Sequence, residues 1–314
     1  VPEEFDIGPL TWVKDEVNQA LNSVLENLDA VAHNPEDLSP LRYSQTHLYQ
    51  VSGALDMVGL EGCKRFCAEI EKLAGKLEKK EIAVSPEMLE PLQNAVHILR
   101  GYLEDLLNGA PDTPLKLFPS LAAIAAAQGE TIEESELFFP DTTRRAPKDL
   151  PSDELDESAL PAYIAEQRSR FQKSLLSWLK DGGAQGLEEM RTALENVQQI
   201  QKQPAHKTLW WVASAFTDAL TQEAIAAQAG VKKLCRRLDQ QLKSLSEGAN
   251  RASGNLLRDI LYYVALSPDA TECIALVKNT FELQQLLPGA SQPAIAAEIT
   301  EAELAAVEQL KLVL

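Results

Sequence analysis

The feature that most constrains this chain is its succession of long stretches in which apolar residues recur every three or four positions, with no stretch of alternating apolar and polar residues. That period is the helical one, so each stretch must bury one stripe against another helix, and the fold class is all-α. From Pro9, suited to a first helical turn, Leu10, Val13, Val17, Leu21, Val24 and Leu28 form a stripe that runs to Val31 and stops at Asn34-Pro35. A second stretch begins at Ser39-Pro40 and carries Leu48, Val51, Leu55 and Val58 up to Gly59. The third, Gly62 to Leu77, turns Cys63, Phe66, Cys67, Ile70 and Leu73 inward, and the fourth opens at Ser85-Pro86 and repeats through Leu106. Short connections between four such helices predict an antiparallel bundle over residues 1–129, with the Ala-rich stretch 111–129 strapped across it as a small helix.

Over 130–157 the periodicity dissolves: ten acids stand against three bases, with Pro140, Pro147 and Pro151 interspersed. This composition predicts an inter-domain linker that protease cuts first, with Leu137-Phe138-Phe139 as an apolar triplet docking back onto a bundle. Helical periodicity resumes near Leu160 and breaks at Gly182-Gly183. Later segments are expected near 185–202, 206–226, 230–247, 253–266, 269–287 and 298–314. A chain of 314 residues exceeds what one simple helical core organises. The expectation is therefore two antiparallel helical bundles, 1–129 and 158–314, the second with extra C-terminal helices.

Charge and composition narrow the function classes. A formal charge of −18 repels nucleic acid and anionic lipid, whose recognition needs a basic stripe, so neither is expected as a partner. No apolar run reaches the roughly 18 residues that a membrane span needs. Four cysteines without CxxC spacing fit a reducing, cytoplasmic compartment and no disulfide or zinc framework. The chain opens at Val1 without Met or a basic-then-apolar leader, which predicts a segment of a larger protein. Phosphate loops, GxSxG and HExxH are absent, so no cofactor, metal or catalytic residue is expected.

One constellation does point to chemistry. A histidine-phosphotransfer domain carries His-x-x-Lys-Gly on a bundle helix, with a second Gly six residues after the first. The imidazole stands outward, the Lys offsets phosphate charge, and the Gly lets a response regulator approach. Gly53 and Gly59 have that spacing, but four residues before Gly53 stands Tyr49, and Ser52 occupies the Lys position. His47 lies two residues earlier, rotated about 200° onto another face. The segment Thr46 to Leu55 can also be laid on Lys207 to Phe216, which suggests a duplicated bundle. The acceptor position there is Trp210, and Ser214 matches Gly53, with Trp211 between them. Tyr49 and Trp210 thus read as degenerate phosphoacceptor positions, and Ser52, Gly53, Gly59, Trp211 and Ser214 as docking candidates. Cys63 and Cys67, one helical turn apart, read as core residues, and His33, His97 and His206 as structural ones.

The stretches LTWVKDEVNQAL (10–21), LYQVSGALDMVG (48–59), ELFFPD (136–141), LWWVASAFTDAL (209–220) and LLRDILYYVA (256–265) together resemble a known family. It comprises FimL scaffolds and the N-terminal region of ChpA/PilL-type chemosensory histidine kinases of the type IV pilus twitching-motility system. The resemblance implies degenerate phosphotransfer-like bundles that bind a response regulator or a polar scaffold protein, in a chain recruited to the cell pole. In kinase relatives the parent chain continues into working phosphotransfer, kinase and receiver domains. Relatives can carry His where Tyr49 stands here, so the departure removes even a nominal acceptor. Two rival readings remain beside it: phosphotransfer through His47, and a structural or dimerisation spacer. The oligomeric state is left open.

Overall fold

A computed structural model describes residues 7–222, 229–248 and 253–289, and among them every regular element is helical. The first group comprises α1 (Ile7–His33), α2 (Ser39–Met57), α3 (Glu61–Glu78) and α4 (Pro86–Leu107). These close a ring in which α1 packs on α2 and α4, and α3 on α2 and α4. After a 3-10 turn at Pro114–Leu117, the short α5 (Phe118–Ala127) lies across α3 and α4, as the Ala-rich pattern predicts. The predicted stripes are the core: Leu21, Leu48, Leu55, Phe66, Ile70 and Leu99 are fully buried.

The second group is α6 (Leu160–Asp181), α7 (Ala184–Gln199), α8 (Pro204–Thr221), α9 (Ala229–Ser246), α10 (Gly254–Leu266) and α11 (Glu272–Phe281). Here α6 packs on α7 and α9, and α8 is enclosed by α7, α10 and α11. The α6–α7 approach is close because Gly186 has no side chain: a Cβ there would lie 2.9 Å from the Ser174 carbonyl oxygen. Side-chain oxygens of Ser253 and Thr271 accept from the backbone N–H of Leu256 and Ile274, capping α10 and α11. The helix expected over 298–314 lies outside the described residues.

The acidic stretch after α5 is tied down along much of its length. Leu137 and Phe138 are buried, and the Phe138 ring meets Tyr262 of α10 edge to face at 5.5 Å. Its acids pair with bases of α3: Glu136 with Arg65 at 2.9 Å, and Glu130 with Lys76 at 2.7 Å and with Lys72. The same α3 bases serve Glu69, which is only 3 % exposed and takes Arg65 at 2.9 Å and the Gln128 amide at 2.8 Å. On the other side Tyr262 donates to Glu134, and Arg144 reaches Glu282 at 2.8 Å. The stretch expected as an inter-domain linker is thus packed here as a strap, its charges matched by bases distant in sequence.

The two lysines push the Glu130 carboxyl down to about 2 from its ordinary 4.5. A carboxyl lowered on folding stabilises the fold above its unfolded pKa, and that stabilisation is lost as pH falls from about 4.5 through about 2. An NMR titration should place the Glu130 midpoint near 2, and removing both Lys72 and Lys76 side chains should return it towards 4.5. A midpoint near 4.5 in the unaltered chain would show that the strap is not held by these pairs.

Candidate docking surface

The outer side of α2 holds the first candidate residues. Leu41, Ser44, Leu48, Val51 and Leu55 face inward, which leaves Thr46, Tyr49, Gly53 and Asp56 outward. Tyr49 is 72 % exposed, and a Cβ added to Gly53 would meet nothing within 4 Å. Ser52 is half-buried on the flank. Beside Tyr49, a shallow groove between α2 and α3 is lined by Arg42, Gln45, Thr46 and Glu78, with Arg42 bound to Glu78 at 2.9 Å.

Gly59 has a local explanation. It takes φ +79°, the Leu60 N–H reaches back to the Leu55 carbonyl and the Gly59 N–H to the Asp56 carbonyl. That is the pair of bonds that closes a helix through a left-handed residue, where Gly avoids the Cβ strain. Its six-residue interval from Gly53 thus reflects the length of α2, and Gly59 follows the helix rather than sharing its face.

The matching positions in α8 are corrected outright. Trp210 is fully buried, and Trp211 and Ser214 are nearly so, with the Ser214 hydroxyl donating to the Trp210 carbonyl at 3.0 Å. None of them is available to a partner. Apolar and small residues cover every side of α8, and a helix apolar all round is an interior helix. The proposed repeat between α2 and α8 therefore joins a helix with a free face to one that has none.

The histidines form no reactive constellation. His47 is half-buried, His33 is exposed with Nδ1 donating to the Asp29 carbonyl at 2.7 Å, and His206 is buried. His97 is exposed, with its Nδ1 3.3 Å from the Arg100 guanidinium. Cys63 and Cys67 are buried, and burial pushes the Cys67 thiol up to about 12, so neither is a thiolate at neutral pH. No group of three or more potential metal ligands occurs among the described residues. Among them, too, no helix is long and apolar enough to cross a membrane.

Sequence reasoning did not find the cleft of about 580 Å³ between the two groups of helices, lined by Gly59, Gly62, Asp112, Phe139, Asn255 and Arg258. Burial raises the Asp112 carboxyl although Tyr102 donates to it at 2.6 Å. The Arg258 guanidinium is already engaged by Asp259 through Nε at 2.9 Å and Nη2 at 2.7 Å. These groups satisfy one another, and the Thr143 hydroxyl in the same lining donates to the Asp141 carboxylate at 2.5 Å within its own turn.

Residues 156–294, from just before α6 to beyond α11, match the family model described as the second domain of the FimL scaffold protein. Over that range the chain resembles the FimL scaffold protein. It is 26 % identical over 264 residues to the scaffold protein FimL of Pseudomonas aeruginosa, a similarity that covers 82 % of this chain and 47 % of the relative. The chain thus spans about half the length of the curated relative it matches. Its helical architecture is in keeping with the scaffold role that the relative's name states.

Proposed function

We propose that this chain is a non-catalytic, pseudo-phosphotransfer module that docks a response regulator or a polar scaffold protein in a type IV pilus chemosensory system. The observation that carries the reading is the exposed Tyr49 beside the open Gly53, where a phosphotransfer helix would present its imidazole and its small residue. A phenol has neither the nucleophilicity nor the pKa of an imidazole near neutrality, so the position can hold a partner without accepting its phosphoryl group. The second acceptor position, Trp210, lies in the core, so docking falls to the first group of helices.

The test is phosphoryl transfer. Offered a response regulator carrying labelled phosphoryl-aspartate, the chain should acquire no acid-labile label. Label that disappears in a His47→Gln variant would overturn the reading and make His47 an acceptor.

A further inference from the structure

Helices α1 and α2 form a hairpin that carries four large, solvent-facing side chains. Trp12 is 80 % exposed, Tyr43 61 %, Tyr49 72 % and Met57 79 %. The turn at 34–38 joins the far end, so Trp12, near the start of α1, and Met57, the last residue of α2, lie at the same end. Tyr43 and Met57 are fourteen residues apart on one line along α2, whereas Tyr49 is turned by roughly a quarter to a third of a turn toward α3, where it borders the groove with Glu78. An isolated exposed apolar residue is ordinary, but Trp, Tyr and Met gathered on one hairpin are the types that concentrate at binding interfaces.

The charge around this patch selects the partner. On the stripe of Trp12 lie exposed Asp15, Glu16 and Glu26, and the turn adds exposed Glu36 and Asp37. Against them the hairpin exposes Lys14 and Arg42, and Arg42 is held by Glu78. A second copy of a chain with formal charge −18 would bring like charges together, and an anionic membrane would do the same. We infer that the outer face of the α1–α2 hairpin docks a protein partner whose apolar groove is rimmed by Lys and Arg. This rests on the docking role proposed above and extends the site from α2 onto α1. Trp12 and Met57 fill the groove, and the acids fix its orientation and steer the encounter.

Trp12 reports on its own burial, because the other three tryptophans, Trp178, Trp210 and Trp211, are at most 7 % exposed. The probe is a synthetic amphipathic helical peptide of leucine and lysine, compared with its leucine and glutamate counterpart. Titrating in the lysine peptide should shift tryptophan emission to the blue and protect it from acrylamide, saturably and more weakly as salt rises. Met57→Glu should weaken that binding at least tenfold with unchanged far-ultraviolet circular dichroism, and Trp12→Phe should abolish the shift. Equal binding of the two peptides would overturn the charge assignment while leaving a docking face. No binding of either would overturn the face itself, whatever the phosphoryl-transfer result. A blue shift on concentrating the protein alone, or on adding anionic phosphatidylglycerol vesicles, would replace the basic partner by a second copy or a membrane.

Discussion

Trp210→Ala should destabilise the chain by about 3–5 kcal/mol, seen as a fall in the urea midpoint, because it removes the largest fully buried side chain and leaves a cavity in an enclosed helix. Urea unfolding separates two views of this position that agree on sequence. If Trp210 stood on a phosphotransfer-like face, its truncation would change binding and leave stability within about 0.5 kcal/mol, as for surface positions generally. As a core residue enclosed by α7, α10 and α11, it should behave in the opposite way. Trp210→His should likewise fail to restore an acceptor, since no regulator can reach the ring without unfolding α8.

Phe138→Ala should also lose about 3–5 kcal/mol, although it lies in a stretch whose composition reads as linker. The ring is buried and set edge to face against Tyr262, between the two groups of helices. Limited proteolysis gives a second readout. The unaltered chain should resist cleavage between 130 and 140, where the strap is pinned to α3, and the variant should be cut there early. Early cutting of the unaltered chain within that stretch would show that the strap opens in solution.

How much was legible depended on how far apart the interacting residues stand. The helices of the first group follow from apolar spacing alone, since each has one buried stripe and one solvated face, and α1 to α4 lie within two or three residues of the predicted bounds. The role of α8 was misread because Leu209 to Phe216 was compared with α2 by its pattern of small and apolar residues, although its apolar residues on all sides already signalled an interior helix. The strap was illegible for another reason. Glu130 and Glu136 look solvated until Lys76 and Arg65, 54 and 71 residues away, come alongside them, and no local window contains both partners. At the docking surface, Tyr49 and Gly53 could be found from the phosphotransfer spacing. Trp12 was missed, since an amphipathic stripe identifies what faces the core and says nothing of which exposed residue is anomalous.

The strap also sets where the chain can be dissected. The matched FimL unit begins at residue 156, yet the Ala146 N–H donates to the Thr208 hydroxyl, the Asp153 N–H to the Gln199 carbonyl, and Arg144 reaches the Thr280 carbonyl and Glu282. A fragment started at the boundary of sequence similarity would leave those acceptors to water and strip Phe138 from Tyr262. The physical unit that ought to be expressed alone therefore begins about twenty residues earlier, before Glu134, whose carboxylate accepts from the Tyr262 hydroxyl.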